Sequence, residues 1–206
     1  PREDVRDAFV SPSVGGLSEL PEGAEVGTSS LRRKAQVLVA HPHLKVVEFR
    51  GNVQTRLKKL DDGVAACTFL AMAGLTRLGM LAEVPHDPIG TDAMLPAVAQ
   101  GAIGIERRVA DERAAELLAA IHDAETGLRL AAERAFLRGL DGSCQTPIGG
   151  LAELVDGSLH LRGEIIRPDG SESLTHALAG ATNDGVRIGA QAAEVLRARG
   201  GTGFFL

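Results

Sequence analysis

The sequence predicts an α/β chain in two parts: a parallel or mixed sheet with helices on its faces, followed by a small α+β unit with a three-stranded antiparallel sheet. Strand-like apolar runs alternate with helical runs through the first half. After Cys144, three alternating stretches are joined by Asp156-Gly157 and Asp169-Gly170, dipeptides that favour hairpin turns. Between the two patterns lies Leu140-Asp-Gly-Ser-Cys144-Gln-Thr-Pro-Ile-Gly-Gly150, a glycine-rich loop carrying a thiol.

In order, Val5–Val10 reads as a short strand. Gly27-Thr-Ser-Ser30 turns into a helix over Leu31–Ala40, which His41-Pro42 ends. Lys45–Phe49 reads as a buried strand, and Arg50-Gly-Asn52 starts a second helix through Leu60, broken by Asp61-Asp-Gly63. Val64–Leu70 is apolar and β-branched enough for a strand, with a short helix through Leu78. Pro85–Pro96 reads as a crossing segment, Gly101–Glu106 as a strand, and Asp111–Ile121 as a helix. Asp123–Leu140 has helical spacing of Leu128, Ala131, Ala132, Ala135 and Phe136. Strands over Ile148–Val155, Ser158–Ile166 and Ser171–Leu178 precede a closing helix over Asp184–Arg199, capped by Asn183 or Asp184.

Composition narrows the function classes. The chain of 206 residues is 44% hydrophobic and 24% charged, ordinary for a globular protein, and has no apolar run of membrane-spanning length or signal peptide. Two cysteines make no disulfide framework, so a reducing, cytoplasmic setting is the default. A net charge of −5 and the lack of Trp and Tyr argue against nucleic acid. The histidines are unclustered, and no metal site is expected. Because the chain opens on Pro1 in mid-protein style, it reads as a fragment.

The chemistry points to the βα turns. Arg32 and Arg33 fall in a helix's first turn, where the macrodipole disfavours a cation by about 0.3–1 kcal/mol. Thr28, Ser29 and Ser30 add hydroxyls, and such a turn is a ready anion site. Arg50 and Arg56 repeat the arrangement at the next strand and helix, so two adjacent turns converge on one polyanionic ligand. Solvated arginines placed by chance are the bland alternative. Arg77 lies near a helix C-terminus, where a cation is favourable without any function. The glycines of Gln100-Gly-Ala-Ile-Gly-Ile-Glu106 do not make a dinucleotide fingerprint. Taken alone, Cys144 is more simply a small buried hydrophobe than a working group.

Five stretches then carry a resemblance, in order: Val26-Gly-Thr-Ser-Ser-Leu-Arg-Arg33, Phe49-Arg-Gly-Asn-Val-Gln-Thr-Arg56, Ala73-Gly-Leu-Thr-Arg-Leu-Gly79, Leu95-Pro-Ala-Val-Ala-Gln-Gly-Ala-Ile-Gly-Ile-Glu106 and Gly142-Ser-Cys-Gln-Thr-Pro-Ile-Gly149. Together they resemble the hydroxymethylbilane synthase (porphobilinogen deaminase) family over essentially the whole chain. The resemblance implies a transferase of tetrapyrrole biosynthesis that condenses four porphobilinogens into hydroxymethylbilane, releasing ammonia at each step. It implies a covalent dipyrromethane cofactor on Cys144, with Thr28, Ser30, Arg32 and Arg33 binding the cofactor and Arg50, Arg56, Arg77 and Gln100 the substrate. It also implies a cytoplasmic monomer.

On this reading residues 1–94 form a second, periplasmic-binding-protein-like α/β domain. Residues 95–122 return to a mostly missing first domain, and residues 123–206 form the cofactor-attachment domain. The family's catalytic aspartate, which would assist loss of ammonia, falls in the missing N-terminal segment. No catalytic residue is therefore assigned, and the chain alone is expected to be inactive. Residues 101–120 should leave apolar surface uncovered. Ala66 stands where the family usually has aspartate, and Ala99 where it has glycine, which would strain a turn if that site needs positive φ. Two alternatives remain: a non-catalytic α/β binding module for an acidic small molecule, which has no need of a thiol in this loop, and a hydrolase with Cys144 as nucleophile, which lacks an adjacent His/Asp partner in sequence.

Overall fold

A computed structural model describes residues 1–143 and 145–205. The first unit contains β1 (Asp7–Val10), β2 (Glu25–Gly27), α1 (Leu31–Ala40), β3 (Lys45–Val47), α2 (Val53–Asp61), β4 (Cys67–Ala71), α3 (Met72–Arg77) and β5 (Asp87–Pro88). Side chains fix the helix starts: the Ser30 hydroxyl accepts from the Arg33 amide, and the Asn52 carbonyl oxygen from the Thr55 amide. The strands form one mixed sheet in the order β3-β2-β4-β1-β5. β2 is parallel to β3 and β4, whereas β1 runs antiparallel to β4 and β5. The carboxyl ends of β2, β3 and β4 thus share one edge, and α1, α2 and α3 leave from it. Antiparallel β1 starts at that same edge, with Asp7 paired to Ala71 at the end of β4.

Both faces of the sheet are covered. Ala8, Val10, Phe49, Leu60, Leu70 and Leu75 belong to one core, and Phe9, Val26, Val37, Leu44, Cys67 and Phe69 to the other. Phe9 and Phe69 meet edge to face with ring centres 6.3 Å apart.

The C-terminal unit is α5 (Ala124–Gly139), β6 (Ile148–Val155), β7 (Ser158–Ile166), β8 (Ser173–Ala181) and α6 (Gly185–Gly200), with a β6-β7-β8 antiparallel sheet. Its core joins Phe136, Leu159, Leu161, Ile165, Ile188 and Leu196. The two helices pack closely because Gly189 lies against Ala132 and Ala135, leaving no room for a Cβ. Asp156 and Gly157, at φ 48° and 77°, form the two-residue turn expected between β6 and β7.

The second turn departs from expectation. Asp169-Gly170 lies in a longer connection closed by Arg167 and Glu172, and β8 runs over Ser173–Ala181 rather than Ser171–Leu178. Asp184 occupies the N-cap position of α6 without a side-chain capping bond, and its carboxylate pairs instead with Arg187 at 2.6 Å.

The expected strand at Gly101–Glu106 does not form. A lone apolar stretch lacks the neighbour that a strand requires, and Ile103 and Ile105 are exposed at 69% and 56%. The following α4 (Glu112–Ala119) has no buried residue, and Leu117 and Ile121 also face solvent. This stretch presents uncovered apolar surface. Among the described residues no helix is long and apolar enough to cross a membrane.

The chain's crossings are tied by Glu133 of α5, a fully buried carboxylate. Its Oε1 accepts from Arg2 Nη1 at 2.6 Å and the Ala152 amide at 2.8 Å; its Oε2 accepts from Arg2 Nη2 at 3.1 Å and the Ala99 amide at 2.7 Å. Holding the Ala99 amide there sets that residue at φ 64°, a left-handed backbone that a Cβ disfavours. Ala99→Gly should therefore raise unfolding stability by about 0.5–1 kcal/mol, measured by urea denaturation at neutral pH.

Candidate anion-binding cleft

The site is built around the shared edge of the first sheet. Asp7 is completely buried, and Arg32 and Arg33 are only 4% and 8% exposed. Arg32 Nη2 donates to Asp7 Oδ2 at 2.8 Å, while Arg33 Nε and Nη2 donate to Oδ1 at 3.1 and 2.7 Å. Gln100 Nε2 adds a fourth donor to Oδ1 at 3.0 Å and also reaches the Val5 carbonyl at 2.7 Å. The remaining guanidinium donors are partly used: Arg32 Nη1 meets Gln36 Oε1 and the Leu95 carbonyl, both at 2.9 Å, and Arg33 Nη1 meets the Phe69 carbonyl at 3.0 Å. Among the described residues, Arg32 Nε stays buried with no partner.

Burial works against charge on both sides of this cluster. It alone would raise the Asp7 pKa, but the guanidiniums of Arg33 and Arg32 outweigh it and hold the carboxyl below its ordinary value. Burial, opposed by Asp7, pushes Arg32 below its ordinary range. Arginine nonetheless keeps its proton in proteins, and four N–H donors on one carboxyl require it to be ionised. The cluster therefore carries two positive charges against one negative, and stays cationic after pairing.

A cleft of about 420 Å³ opens beside it, lined by Ser29, Ser30, Arg32, Arg33 and Arg56 on one side and Val98, Leu137, Ser143, Thr146 and Ile148 on the other. Arg56 is half-buried, its Nε donating to the Gly51 carbonyl at 2.9 Å. Burial and then the neighbouring Arg33 lower its pKa. Thr28 is buried, and its hydroxyl accepts from the Ser30 amide at 3.2 Å, so it shapes the turn. On the facing wall a short turn is closed by the Ser143 amide donating to Thr146 Oγ1 at 2.7 Å. Cys144, the proposed attachment point, stands between Ser143 and Thr146 in sequence and lies outside the described residues. The other cysteine, Cys67, is buried and its thiol is pushed up to about 12, which leaves it inert.

Of the residues singled out from the sequence, Ser30, Arg32, Arg33 and Arg56 line this cleft. Gln100 and Thr28 support it from behind. Arg50 is exposed and paired with Glu48, and Arg77 donates to the Gly101 carbonyl at 2.8 Å; neither lines it. Sequence reading missed Asp7. Its signal was available: a carboxylate opening an otherwise apolar strand is a buried charge in need of cations.

The order of motifs along the chain agrees with the comparisons. Residues 1–116 match the family described as porphobilinogen deaminase, dipyromethane cofactor binding domain. Residues 128–198 match porphobilinogen deaminase, C-terminal domain. The chain belongs to the porphobilinogen deaminase family. It is 63% identical over 205 residues to a porphobilinogen deaminase of Paracoccus denitrificans and 52% identical over 205 residues to one of Nitrobacter hamburgensis. The match covers 100% of this chain and 65% of each of those relatives. A porphobilinogen deaminase of Pisum sativum described as chloroplastic is 51% identical over 209 residues, covering 100% of this chain and 56% of its own length. Within the porphobilinogen deaminase family, then, this chain spans about 65% of the length of these bacterial relatives.

Neutralising Asp7 leaves two buried guanidiniums without their counter-charge. Asp7→Asn should lower unfolding stability by about 3–5 kcal/mol, measured by urea denaturation. Because the native pKa of Asp7 lies below its ordinary 3.8, its stabilising contribution is complete above that pH. It is lost as pH falls below 3.8 through the lower native value. Acid titration of the wild type should show this loss, and Asp7→Asn should flatten it.

Proposed function

We propose that this chain serves as the cofactor- and substrate-holding part of a porphobilinogen deaminase, a transferase that condenses four porphobilinogens into hydroxymethylbilane with release of ammonia. The observation that carries the reading is the cationic cleft between the arginine turn and the Cys144 loop. Porphobilinogen is a dicarboxylic acid, and the cleft wall offers the Arg32, Arg33 and Arg56 guanidiniums and the Ser29 and Ser30 hydroxyls. That donor set suits carboxylates.

The same donors fit the carboxylate arms of a dipyrromethane held by a thioether to Cys144, with Ser30, Arg32 and Arg33 as its binding groups and Thr28 supporting them. When bound, that group supplies the covalent primer on which the chain grows. The protein's own residues hold and orient: Arg56 faces incoming carboxylates, and Arg50 and Arg77 stand at the periphery of the path in this reading. Gln100 acts on the site through Asp7. Asp7 is not the general base, because its oxygens already accept four donors.

The first unit is read as a periplasmic-binding-protein-like lobe, on the ground that its parallel strands deliver two βα turns to one edge. Residues 95–122 are read as belonging to a further domain, and residues 123–206 as the cofactor-bearing domain. A cytoplasmic monomer acting on a small molecule, with no nucleic-acid or membrane partner, completes the reading. The absence of a nucleic-acid partner in this reading is supported by the net charge of −5.

Intact-mass spectrometry of the full-length protein expressed in cells should reveal an adduct of two pyrrole units, absent in Cys144→Ser. An unmodified thiol in active protein would overturn the tether. Arg56→Ala should weaken porphobilinogen binding about tenfold or more, the scale of one charge-assisted hydrogen bond, with unfolding stability little changed. Titration calorimetry measures it.

A further inference from the structure

A chain of polar contacts outside the cleft links its arginines to the C-terminal sheet. Gln36 lies one turn after Arg32 on α1 and is 7% exposed. Its Oε1 accepts from Arg32 Nη1 at 2.9 Å. Its Nε2 donates to the Leu95 carbonyl at 3.0 Å and to Glu164 Oε2 at 2.8 Å. The other Glu164 oxygen accepts from the Ser173 hydroxyl at 2.7 Å.

The amide has one workable orientation. Flipped, its NH2 would face a guanidinium and its oxygen would face two acceptors. Gln36 therefore transmits geometry between the Arg32 fork and a carboxylate 128 residues further along the chain. Nothing in the β7 ladder requires that carboxylate: its cross-strand neighbours are Gly149 and Thr175, neither of them a cation. A half-buried carboxylate is costly unless it satisfies donors, and its donors here are Gln36 and Ser173.

We infer that Glu164 is a positioning residue: through Gln36 it fixes the Arg32 side of the cleft in register with the unit that carries the Cys144 loop. The inference rests on reading the cleft as the seat of carboxylates. A second contact supports the same interface independently, since Arg162 Nη2 donates to Thr91 Oγ1 at 2.8 Å and Arg162 also pairs with Asp92. Loss of Glu164 therefore loosens the register without separating the units.

Hydrogen–deuterium exchange of the wild type, Glu164→Ala, Glu164→Gln, Gln36→Ala and the Gln36→Ala/Glu164→Ala double variant tests this. Glu164→Ala should speed exchange about tenfold in the α1 amides around Gln36. Gln36→Ala should do the same around Ser173, on the opposite side of the interface. The double variant should add little to either, because one contact is removed in each case. Glu164→Gln retains one acceptor oxygen for Gln36 Nε2, and its NH2 can donate to the Ser173 hydroxyl, which accepts as well as donates, so it should keep the protection.

Four outcomes overturn the inference: no change across the interface, acceleration spread equally over the whole chain, additive effects in the double variant, or Glu164→Gln behaving like Glu164→Ala. In parallel, titration with porphobilinogen should show affinity reduced about fivefold in Glu164→Ala and retained in Glu164→Gln; unchanged affinity in Glu164→Ala counts against the inference. Failure of the wild type to bind porphobilinogen sinks the reading of the cleft instead, while the exchange results still decide the role of Glu164.

Discussion

One buried carboxylate holds the site together. Asp7 has no exposed surface, and its two oxygens accept from Arg32, Arg33 and Gln100, residues from two otherwise separate stretches. Two guanidiniums could not be buried side by side at a helix N-terminus without a counter-charge, since burial, mutual repulsion and the macrodipole all oppose them. The antiparallel insertion of β1 solves this by bringing its start to the carboxyl edge of the parallel strands β2, β3 and β4. The pairing is deliberately incomplete in charge, two cations against one anion, so the cleft wall stays positive and rigid. That combination suits a pocket for carboxylates, because the donors are held in place before any ligand arrives.

Glu133 plays a comparable part where the units meet. It gathers Arg2, the Ala99 amide and the Ala152 amide, and so pins the N-terminal segment, the crossing around residue 99 and strand β6 to helix α5. The left-handed backbone at Ala99 follows from that requirement. Gln100, the next residue, is thereby aimed at Asp7, so the two buried carboxylates are joined through two adjacent residues of one turn. The local strain at Ala99 is small beside the cost of an unsatisfied buried carboxylate.

The arginines differ in what the fold asks of them. Arg32 and Arg33 are largely consumed by structure and present only part of their donor capacity, whereas Arg56 faces the cleft half-buried. Arg50 and Arg77 lie outside the lining. A motif places a residue type at a strand end, but depth and neighbours decide whether its charge is spent inside the protein or offered to a ligand.

Local features were legible because their causes are local. The Asp156-Gly157 turn, the Ser30 and Asn52 caps and the helix over Leu31–Ala40 need only a few adjacent residues, and the misplaced-looking Arg32-Arg33 pair lines the cleft. The order of motifs along the chain was enough to indicate the family. The failures were of another kind. Gly101–Glu106 has strand-like residues, but a strand exists only with a partner, and none comes to it among the described residues. Asp7 passed unremarked inside the Val5–Val10 run, because its arginine partners stand 25 and 26 residues away and Gln100 stands 93 away. The contact of Gln36 with Glu164 spans 128 residues. Sequence by itself determined which residues carry charge, where helices start and which turns fold. Only the tertiary structure decided which charges neutralise one another, since ion pairing depends on distances that chain topology sets.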